Sequence, residues 1–354
     1  MKQEIRKFLT ALVIITIVLC IPSCIDPLPQ ESGEVPKVVV IDGQFSDRLG
    51  PQNIRLSEAV ELNSQVPIPI SNAQVEVISD LGETIRFLEK SDDKGNYEIE
   101  SQAVDGREYM LHITLSDGSE ISSAFQSVPP SLPIDTLKME DDLVSFVDES
   151  GRSRTRWILD FSVGSSLDRV EQDYFIRYDL ETVWQLTEVQ CSPLHTIKIC
   201  YIYDRNIAFD IELLEIPQSD NPISFEQKVY QRFIDEAIGE VMAVKVDVIS
   251  YNEEQYRYWE KIQSVFSQTG NITDQLPARV NSNFSSTNDI SVAGQFSVVG
   301  QSEKVLFVRN ADVELNVNPV CGAPGFRPWP LPRECCSCGL REGASTAKPY
   351  YWPF

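Results

Sequence analysis

The chemistry-bearing residues that stand closest together in this sequence are four cysteines near its C-terminus. Cys321 stands alone, and the stretch "ECCSCG" adds Cys335, Cys336 and Cys338. The C-x2-C spacing of Cys335 and Cys338 is half of a four-cysteine zinc site, but a second close pair is missing. Cysteines that bind no metal become disulfides in an oxidising compartment. What these residues do therefore depends on where the chain is delivered.

The N-terminal segment predicts export and lipidation. Residues 1–23 join a basic start, "MKQEIRK", to an apolar run of signal-peptide length that is short for a membrane-spanning helix. The run ends in "IPSC", which resembles a bacterial lipobox, so Cys24 is the predicted lipidation site. Residues 24–35 are then a tether, and the lipid makes the membrane a predicted partner. The alternative is an ordinary secretory signal or an N-terminal anchor in which Cys24 carries no lipid.

Export predicts that the six remaining cysteines form disulfides, and six is an even number, as a disulfide framework requires. Two of them bracket "CSPLHTIKIC", which suits a hairpin closed by a bridge. The last four leave three connectivities open. No metal and no cofactor are predicted, with zinc as the alternative for the last four. The candidates are Cys191, Cys200, Cys321, Cys335, Cys336 and Cys338.

The composition indicates a globular, acidic protein. The chain has 354 residues, of which 42% are hydrophobic, so it can bury one or two cores. Its formal net charge of −23 argues against binding nucleic acid, which depends on Lys and Arg at the phosphates. The same acidity keeps an exported protein dispersed.

The hydrophobic pattern predicts a mainly β fold in two domains. Residues 36–128 contain about seven short alternating strands separated by Asp- and Gly-containing turns, which is typical of an immunoglobulin-like β-sandwich. "PPSLP" at residues 129–133 predicts a stiff, extended linker. Residues 134–318 form a second β-rich domain, and residues 319–354 a Cys-rich tail stapled by disulfides.

One segment of the second domain predicts a prominent α-helix near residues 252–269. Its apolar residues recur at helical spacing, and Asn252 followed by Gln255 resembles a capping box. The aromatic residues of this helix are expected to pack as core against a sheet.

No catalytic motif is present. The two histidines, His112 and His195, lie in a strand and in a loop, without a nucleophile motif nearby. The sequence therefore predicts a protein that is not an enzyme. The alternative is an enzyme, namely a hydrolase that uses two carboxylates.

Exposed aromatic residues in the tail are the candidates for ligand binding. They could form platforms for a glycan or a peptide, and the alternative is that they pack the tail onto the second domain. The candidates are Trp329, Tyr350, Tyr351 and Trp352.

Several stretches together resemble a known family. They are "VVVIDGQFSD", "PISNAQVEV", "GNYEI", "VPPSLPIDTL", "YRYWEKIQ", "NITDQLPARVNSNF", "AGQFSV" and the tail "CCSCGLREGASTAKPYYW". They are similar to the DUF4249 family of Bacteroidota lipoproteins, and the first domain also resembles the carboxypeptidase-regulatory-like sandwich. In that phylum, "DTL" resembles a short O-glycan acceptor, which makes Thr136 a glycosylation candidate.

The resemblance implies an outer-membrane lipoprotein whose genes often stand beside those of TonB-dependent transporters, and it implies no catalytic residues. The expected function is therefore that of a lipid-anchored accessory subunit that binds a TonB-dependent β-barrel receptor. The alternative is a free-standing surface lipoprotein that binds a glycan, a peptide or another small molecule. The face of the outer membrane that it occupies stays open.

Overall fold

The computed structural model describes residues 38–60, 67–148, 150–204, 212–266, 281–288, 290–322 and 330–353. Residues Lys37–Phe354 form one compact unit. The unit is mainly β, as the sequence predicted, and the described ranges contain one α-helix. No helix in those ranges has the length and apolarity needed to cross a membrane.

The described residues of the N-terminal part of the unit form nine strands. They are β1 (Val38–Ser46), β2 (Gly50–Glu58), β3 (Ile68–Pro69), β4 (Gln74–Ser79), β5 (Thr84–Glu89), β6 (Asn96–Ser101), β7 (Glu108–Thr114), β8 (Glu120–Ser123) and β9 (Gln126–Ser127).

In the rest of the unit, the residues that the structure describes form ten strands and the helix. They are β10 (Thr136–Val147), β11 (Ser153–Leu167), β12 (Tyr174–Thr187), β13 (Ile199–Asp204), β14 (Glu212–Ile216), β15 (Ile223–Phe233), β16 (Val241–Tyr251), α1 (Glu253–Phe266), β17 (Phe284–Ser286), β18 (Ser291–Arg309) and β19 (Ala344–Ser345).

Alternation of apolar and polar residues builds the N-terminal core. In β4, Val75 and Val77 are buried, and Glu76 between them is more exposed. The facing residues Leu111 and Ile113 of β7 are buried in the same way, because neighbouring strands of a pleated sheet share their faces. These side chains meet those of β1 and β2 in one cluster.

Strand β18 joins the two parts of the unit. Its first half runs parallel to β1, with Val38 opposite Ser291 and Ser46 opposite Val299. Its second half runs antiparallel to β16, from Gly300 to Arg309. The main sheet therefore continues in the order β17-β8-β7-β4-β5-β6-β2-β1-β18-β16-β12-β13-β19. Residues 284–299 thus complete the N-terminal sheets, although the sequence assigned them to the second domain.

The proline-rich segment 129–133 is packed against the sheet, where the sequence predicted an extended spacer. A Cβ on Gly300 would lie 2.5 Å from the carbonyl oxygen of Pro129. Asp47 accepts hydrogen bonds from the Ser131 hydroxyl and, at 2.8 Å, from the Gln301 amide. These contacts exist because β18 returns to the N-terminal strands and passes directly beside the segment.

Both faces of the sheet formed by β12, β13 and β16 are covered. On one face, alternate residues such as Ile176 and Val246 pack against the three-stranded sheet β10-β11-β15. On the other, α1 packs through Tyr256 and Trp259. The predicted capping box is wrong, because the Oε1 atom of Gln255 is buried without a hydrogen-bond partner.

The C-terminal tail wraps around the edge of this sheet. Cys335 and Cys338 are buried in the main core on one face. Residues Ala344–Ser345 then pair with β13 at the sheet edge. Trp352 lies on the opposite face, in a cluster with Tyr201. The tail is therefore an integral layer of the fold.

Candidate functional site

Three disulfides fasten the tail. They join Cys191 to Cys336, Cys200 to Cys338, and Cys321 to Cys335. The prediction that these cysteines form disulfides is confirmed.

The predicted bridge between Cys191 and Cys200 is wrong, and strand register explains why. Cys200 lies opposite Leu186 in the pairing of β12 with β13, whereas Cys191 lies five positions beyond Leu186, in the connecting loop. The two sulfur atoms therefore lie at different positions along the hairpin. Each of them bonds to a different cysteine of the tail.

A buried carboxylate adds to this anchor. Glu188 accepts hydrogen bonds from the amides of Cys338 at 2.8 Å and Lys198 at 3.0 Å, and its Oε2 lies 3.0 Å from Nε2 of His195. Burial raises the pKa of Glu188, but the amides and the histidine lower it more, so the net pKa is below its ordinary value. Sequence reasoning missed Glu188, because nothing local marks it among the 53 acidic residues.

An open cavity of about 250 Å³ lies where the anchored tail meets the end of β13 and the turn after β15. Two arginines and four acidic residues share its wall with two aromatic rings and two aliphatic side chains. The lining residues are Trp184, Ile202, Tyr203, Asp204, Arg232, Asp235, Glu236, Ala237, Arg341 and Glu342.

Arg232 is the most constrained polar residue of the cavity, with only 9% of its side chain exposed. One terminal nitrogen donates to Asp235 at 2.6 Å, and the other lies 3.6 Å from a carboxylate oxygen of Asp204. Its Nε is buried and has no hydrogen-bond partner in the described structure. Burial lowers the pKa of Arg232, but the neighbouring charges, Asp235 foremost, raise it to a net value above the ordinary one.

The tail supplies the opposite wall through Arg341. Its guanidinium lies 5.3 Å from the centroid of the Trp184 ring. It also pairs with Glu236 and, at 3.6 Å, with Glu334. Cys338 lies three residues before Arg341 and is bridged to Cys200 of β13. This disulfide places Arg341 over the Trp184 ring. The bridged tail thus supplies one wall of the cavity.

The chemistry of the cavity is hydrogen bonding and ion pairing between two guanidiniums and a larger number of carboxylates. Asp235 also accepts from the amide of Ala237 at 3.0 Å, which fixes the turn. Within the described ranges, no three His, Cys, Asp or Glu side chains are grouped so that they could hold a metal ion. Such a wall can bind a small polar molecule.

The tail aromatics behave differently from one another. Trp352 is 3% exposed and packs edge-on against Tyr201 and Phe307, so it offers no platform. Tyr351 donates to Glu181 at 2.7 Å. Tyr350 is 64% exposed and contacts Glu303.

The other predicted sites lie apart from the cavity or outside the described residues. Cys24 and Trp329 fall outside the described residues. Thr136 is the exposed first residue of β10. His112 lies beside Ser122 in a strand, 2.9 Å from its hydroxyl.

A projecting hairpin, which we call the arm, is a second candidate site. It consists of the distal ends of β10 and β11, residues 142–148 and 150–157, and none of these residues is buried. Leu143 and Val147 are 50% and 70% exposed there. Among the described strands, β10 pairs only with β11, so one side of its backbone is open.

Hydrogen bonds and ring contacts connect the described residues at the tip of the arm. Asp148 accepts hydrogen bonds from the amides of Ser150 and Arg152, each at 3.0 Å, and from Nε of Arg154 at 3.0 Å. The Ser150 hydroxyl and these donors lower the pKa of Asp148 to about 2. The guanidinium of Arg156 lies over the rings of Phe146 and Phe233, at 5.8 and 4.8 Å. Sequence reasoning missed the arm, although the turn "DESGR" marks its tip.

Comparison with known proteins gives a family and no characterised relative. No curated protein matches the chain significantly. The family model described as "Domain of unknown function (DUF4249)" matches residues 25–305, which is most of the chain and includes the arm, Trp184 and Arg232. The chain is therefore a member of the DUF4249 family.

Proposed function

We propose that this protein is a lipid-anchored outer-membrane protein that acts by binding, as an accessory subunit of a TonB-dependent nutrient transporter. The observation that carries the proposal is the arm. Exposure of the apolar side chains of this hairpin to water is unfavourable. A protein partner that binds the hairpin would cover them.

The arm favours a partner made of β-strands. No second described strand pairs with the free side of β10, and a strand added at such an edge binds mainly through backbone hydrogen bonds. The Glu314 amide donates to the Asp141 side chain at 2.7 Å, so the open stretch begins after that residue. Asp142 lies at the start of the open stretch, with Glu140 and Asp141 just before it, which favours a partner strand with a basic residue at that end. A β-barrel receptor with such a strand at its rim meets both requirements.

Anchoring is the second component of the proposal. Cys24 carries the lipid, and residues 24–35 give the unit its reach from the membrane. The binding is proposed to be non-catalytic, since the described residues combine no nucleophile, base and orienting group in one cavity.

The test is an affinity pull-down of the tagged chain from outer membrane solubilised in mild detergent, followed by mass spectrometry. Stoichiometric recovery of a β-barrel transporter supports the proposal. Leu143→Asp and Val147→Asp are expected to abolish that recovery. Leu81→Asp is the matched control, because Leu81 is 66% exposed in a turn far along the chain from the arm. Recovery of the protein alone, or equal recovery with all variants, contradicts the proposal.

The anchor is tested separately by detergent phase partitioning. The wild-type chain is expected in the detergent phase, and a Cys24→Ser variant, which cannot be acylated, in the aqueous phase. A wild-type chain that stays in the aqueous phase refutes the anchor and leaves the test of the arm unaffected.

A further inference from the structure

The native disulfides of this chain are not the ones that neighbouring cysteines form first. Cys191 and Cys200 are nine positions apart, but they bond to tail cysteines at sequence separations of 145 and 138 residues. The entropic cost of closing a loop grows with the logarithm of its length, so a loop of nine residues closes roughly 60-fold more often than one of 145. Oxidation of the unfolded chain therefore favours the local pair Cys191–Cys200 over both native bridges.

The tail cysteines add to this competition. Cys335, Cys336 and Cys338 lie within four positions of one another, yet each bonds to a different partner. Of the three described bridges, only the one from Cys335 to Cys321 is local, with a separation of 14 residues. Random encounters in the unfolded chain cannot sort three adjacent sulfurs among three partners. The packing of the folded chain has to select the native pairs.

Hydrogen bonds in the folded protein make this selection without the help of the sulfurs. The amide of Val189 donates to the carbonyl oxygen of Cys335 at 2.8 Å. The amide of Cys338 donates to the carboxylate of Glu188 at 2.8 Å. These contacts align the tail along the hairpin between β12 and β13. Packing thus brings the native partners together, provided that the sulfurs are free to exchange.

A bridge between Cys191 and Cys200 blocks that selection. Each sulfur forms one disulfide, so this bridge excludes both long native bridges until it is opened. Of the two residues, Cys191 is exposed and Cys200 is 1% exposed in the folded protein. The four cysteines of the other two bridges are at most 2% exposed, so Cys191–Cys336 is the most exposed bridge of the described structure. Cys191 is therefore the position most open to attack by another molecule.

We propose that a thiol–disulfide isomerase acts on this chain, and that exchange at Cys191 is the step that gives the native pairing. A thiolate of the isomerase attacks the Cys191 sulfur of the Cys191–Cys200 disulfide, which forms a mixed disulfide and releases Cys200 as a thiolate. The thiolate of Cys336 then attacks the same sulfur. The Cys191–Cys336 bond forms, and the isomerase leaves as a thiolate.

These two exchange steps cause no net oxidation. Cys200 and Cys338 remain as a dithiol, and a second protein disulfide oxidises them to the native bridge while it is itself reduced to a dithiol. The proposal goes beyond the proposed function, because it depends on neither the arm nor the lipid. A transporter partner and an isomerase can therefore each be present or absent without the other.

The experiment is oxidative refolding of the full chain with Cys20→Ser and Cys24→Ser, which leaves six cysteines. The reduced, denatured chain is oxidised with diamide, free thiols are blocked by alkylation, and the bridges are mapped by mass spectrometry. We expect Cys191–Cys200 to form at least about tenfold more often than Cys191–Cys336. Oxidation in concentrated urea gives the same comparison without any dependence on folding. Equal amounts of the two bridges overturn the proposal.

The part played by the enzyme is tested on the trapped species. Protein disulfide isomerase in a glutathione buffer is expected to convert them to the three native bridges at least about tenfold faster than the same buffer alone. Equal rates with and without the isomerase overturn the proposal, and so does a full yield of native bridges from diamide alone.

Variants assign the slow exchange to Cys191. The double variant Cys321→Ala, Cys335→Ala keeps Cys191 and Cys200, so the isomerase should accelerate its refolding as strongly as that of the parent chain. The double variant Cys191→Ala, Cys336→Ala cannot form the local pair, and its acceleration should be distinctly smaller. Equal acceleration of the two variants places the slow exchange elsewhere and refutes the assignment.

Discussion

The guanidinium of Arg177 lies 3.8 Å from the centroid of the Trp259 ring, and this stack holds helix α1 on the sheet. Arg177 is 7% exposed and comes from β12, on the face opposite the main core. Tyr251 lies beside the stack and accepts a hydrogen bond from Gln44 of β1 at 2.8 Å. Arg177 thus contacts Trp259 of the helix and Tyr251, and Tyr251 is in turn hydrogen-bonded to β1.

The first prediction concerns this stack. A desolvated cation–π contact is worth about 2 kcal/mol or more. Trp259→Leu is therefore expected to lower the free energy of unfolding by about 2–3 kcal/mol, with a coupling to Arg177→Met of about 1–2 kcal/mol in a double-mutant cycle. Urea denaturation measures both. Lys261→Ala, at an exposed position of the same helix, should change little, and additive effects of the two stack variants would contradict the role given to the pair.

The second prediction concerns Gly294, which lies opposite Ile41 in the pairing of β18 with β1. Its φ is +91°, and a Cβ there would lie 1.9 Å from the carbonyl oxygen of Ile41. Gly294→Ala must therefore separate the two strands, and we expect a loss of more than about 3 kcal/mol of unfolding free energy. Gly118 also has a positive φ but no atom within 4 Å, so Gly118→Ala should lose only about 1 kcal/mol. Equal thermal stability of the two variants would show that the close approach is unimportant.

The third prediction concerns the two long disulfides. Cys191–Cys336 and Cys200–Cys338 span 145 and 138 residues, but they run side by side. With one intact, the other closes only a short ring of about 11 positions, so removing either bridge alone should lower stability by about 3 kcal/mol. Removing both opens the long loop and should lower it by about 8 kcal/mol, more than twice a single loss.

Paired Cys→Ala variants under non-reducing conditions, followed by thermal unfolding, measure this coupling. The short bridge Cys321–Cys335 closes 14 residues and serves as the comparison, because its removal should add independently. Simple additivity of the two long bridges would contradict the shared-loop account.

The fourth prediction concerns the pH dependence that Glu188 creates. Its pKa is lower in the folded state than the ordinary 4.5. Its contribution is therefore complete above the unfolded pKa and is lost as the pH falls through the lower folded pKa. Glu188→Gln should lower stability by about 1–3 kcal/mol at pH 7, since three donors lose a carboxylate acceptor.

The difference between wild type and Glu188→Gln should shrink below about pH 4.5. Denaturant titrations from pH 3 to pH 7 measure it. Glu100→Gln, at an exposed strand position, should show no such dependence. A constant difference across the whole range would mean that the carboxylate charge of Glu188 is not what holds the tail.

Local pattern alone identified the elements of this protein. The alternation through Tyr109, Leu111 and Ile113 predicts a strand because successive side chains of a strand point to opposite faces. The helical spacing of Tyr258, Trp259 and Ile262 predicts the one described helix for a similar reason. The six cysteines outside the N-terminal segment likewise predicted three disulfides by number.

Pairing between distant segments could not be predicted in this way. Cys191 lies nine residues from Cys200 but bonds to Cys336, because strand register, and not sequence distance, sets which sulfurs meet. Gly294 marks where the chain returns to β1, yet a glycine in a sequence does not name the strand that it will approach.

The sequence by itself determined the fold class, the family and the six cysteines that form bridges, because periodicity and composition are properties of neighbouring residues. The tertiary structure decided where β18 inserts, how the tail wraps and where the cavity lies. Arg341 of the tail meets Glu236, close in sequence to the Arg232–Asp235 pair, only when β15 and the bridged tail have packed. Contacts between segments that are far apart in the sequence depend on the packing of the whole chain. No short segment specifies by itself which distant segment it will contact.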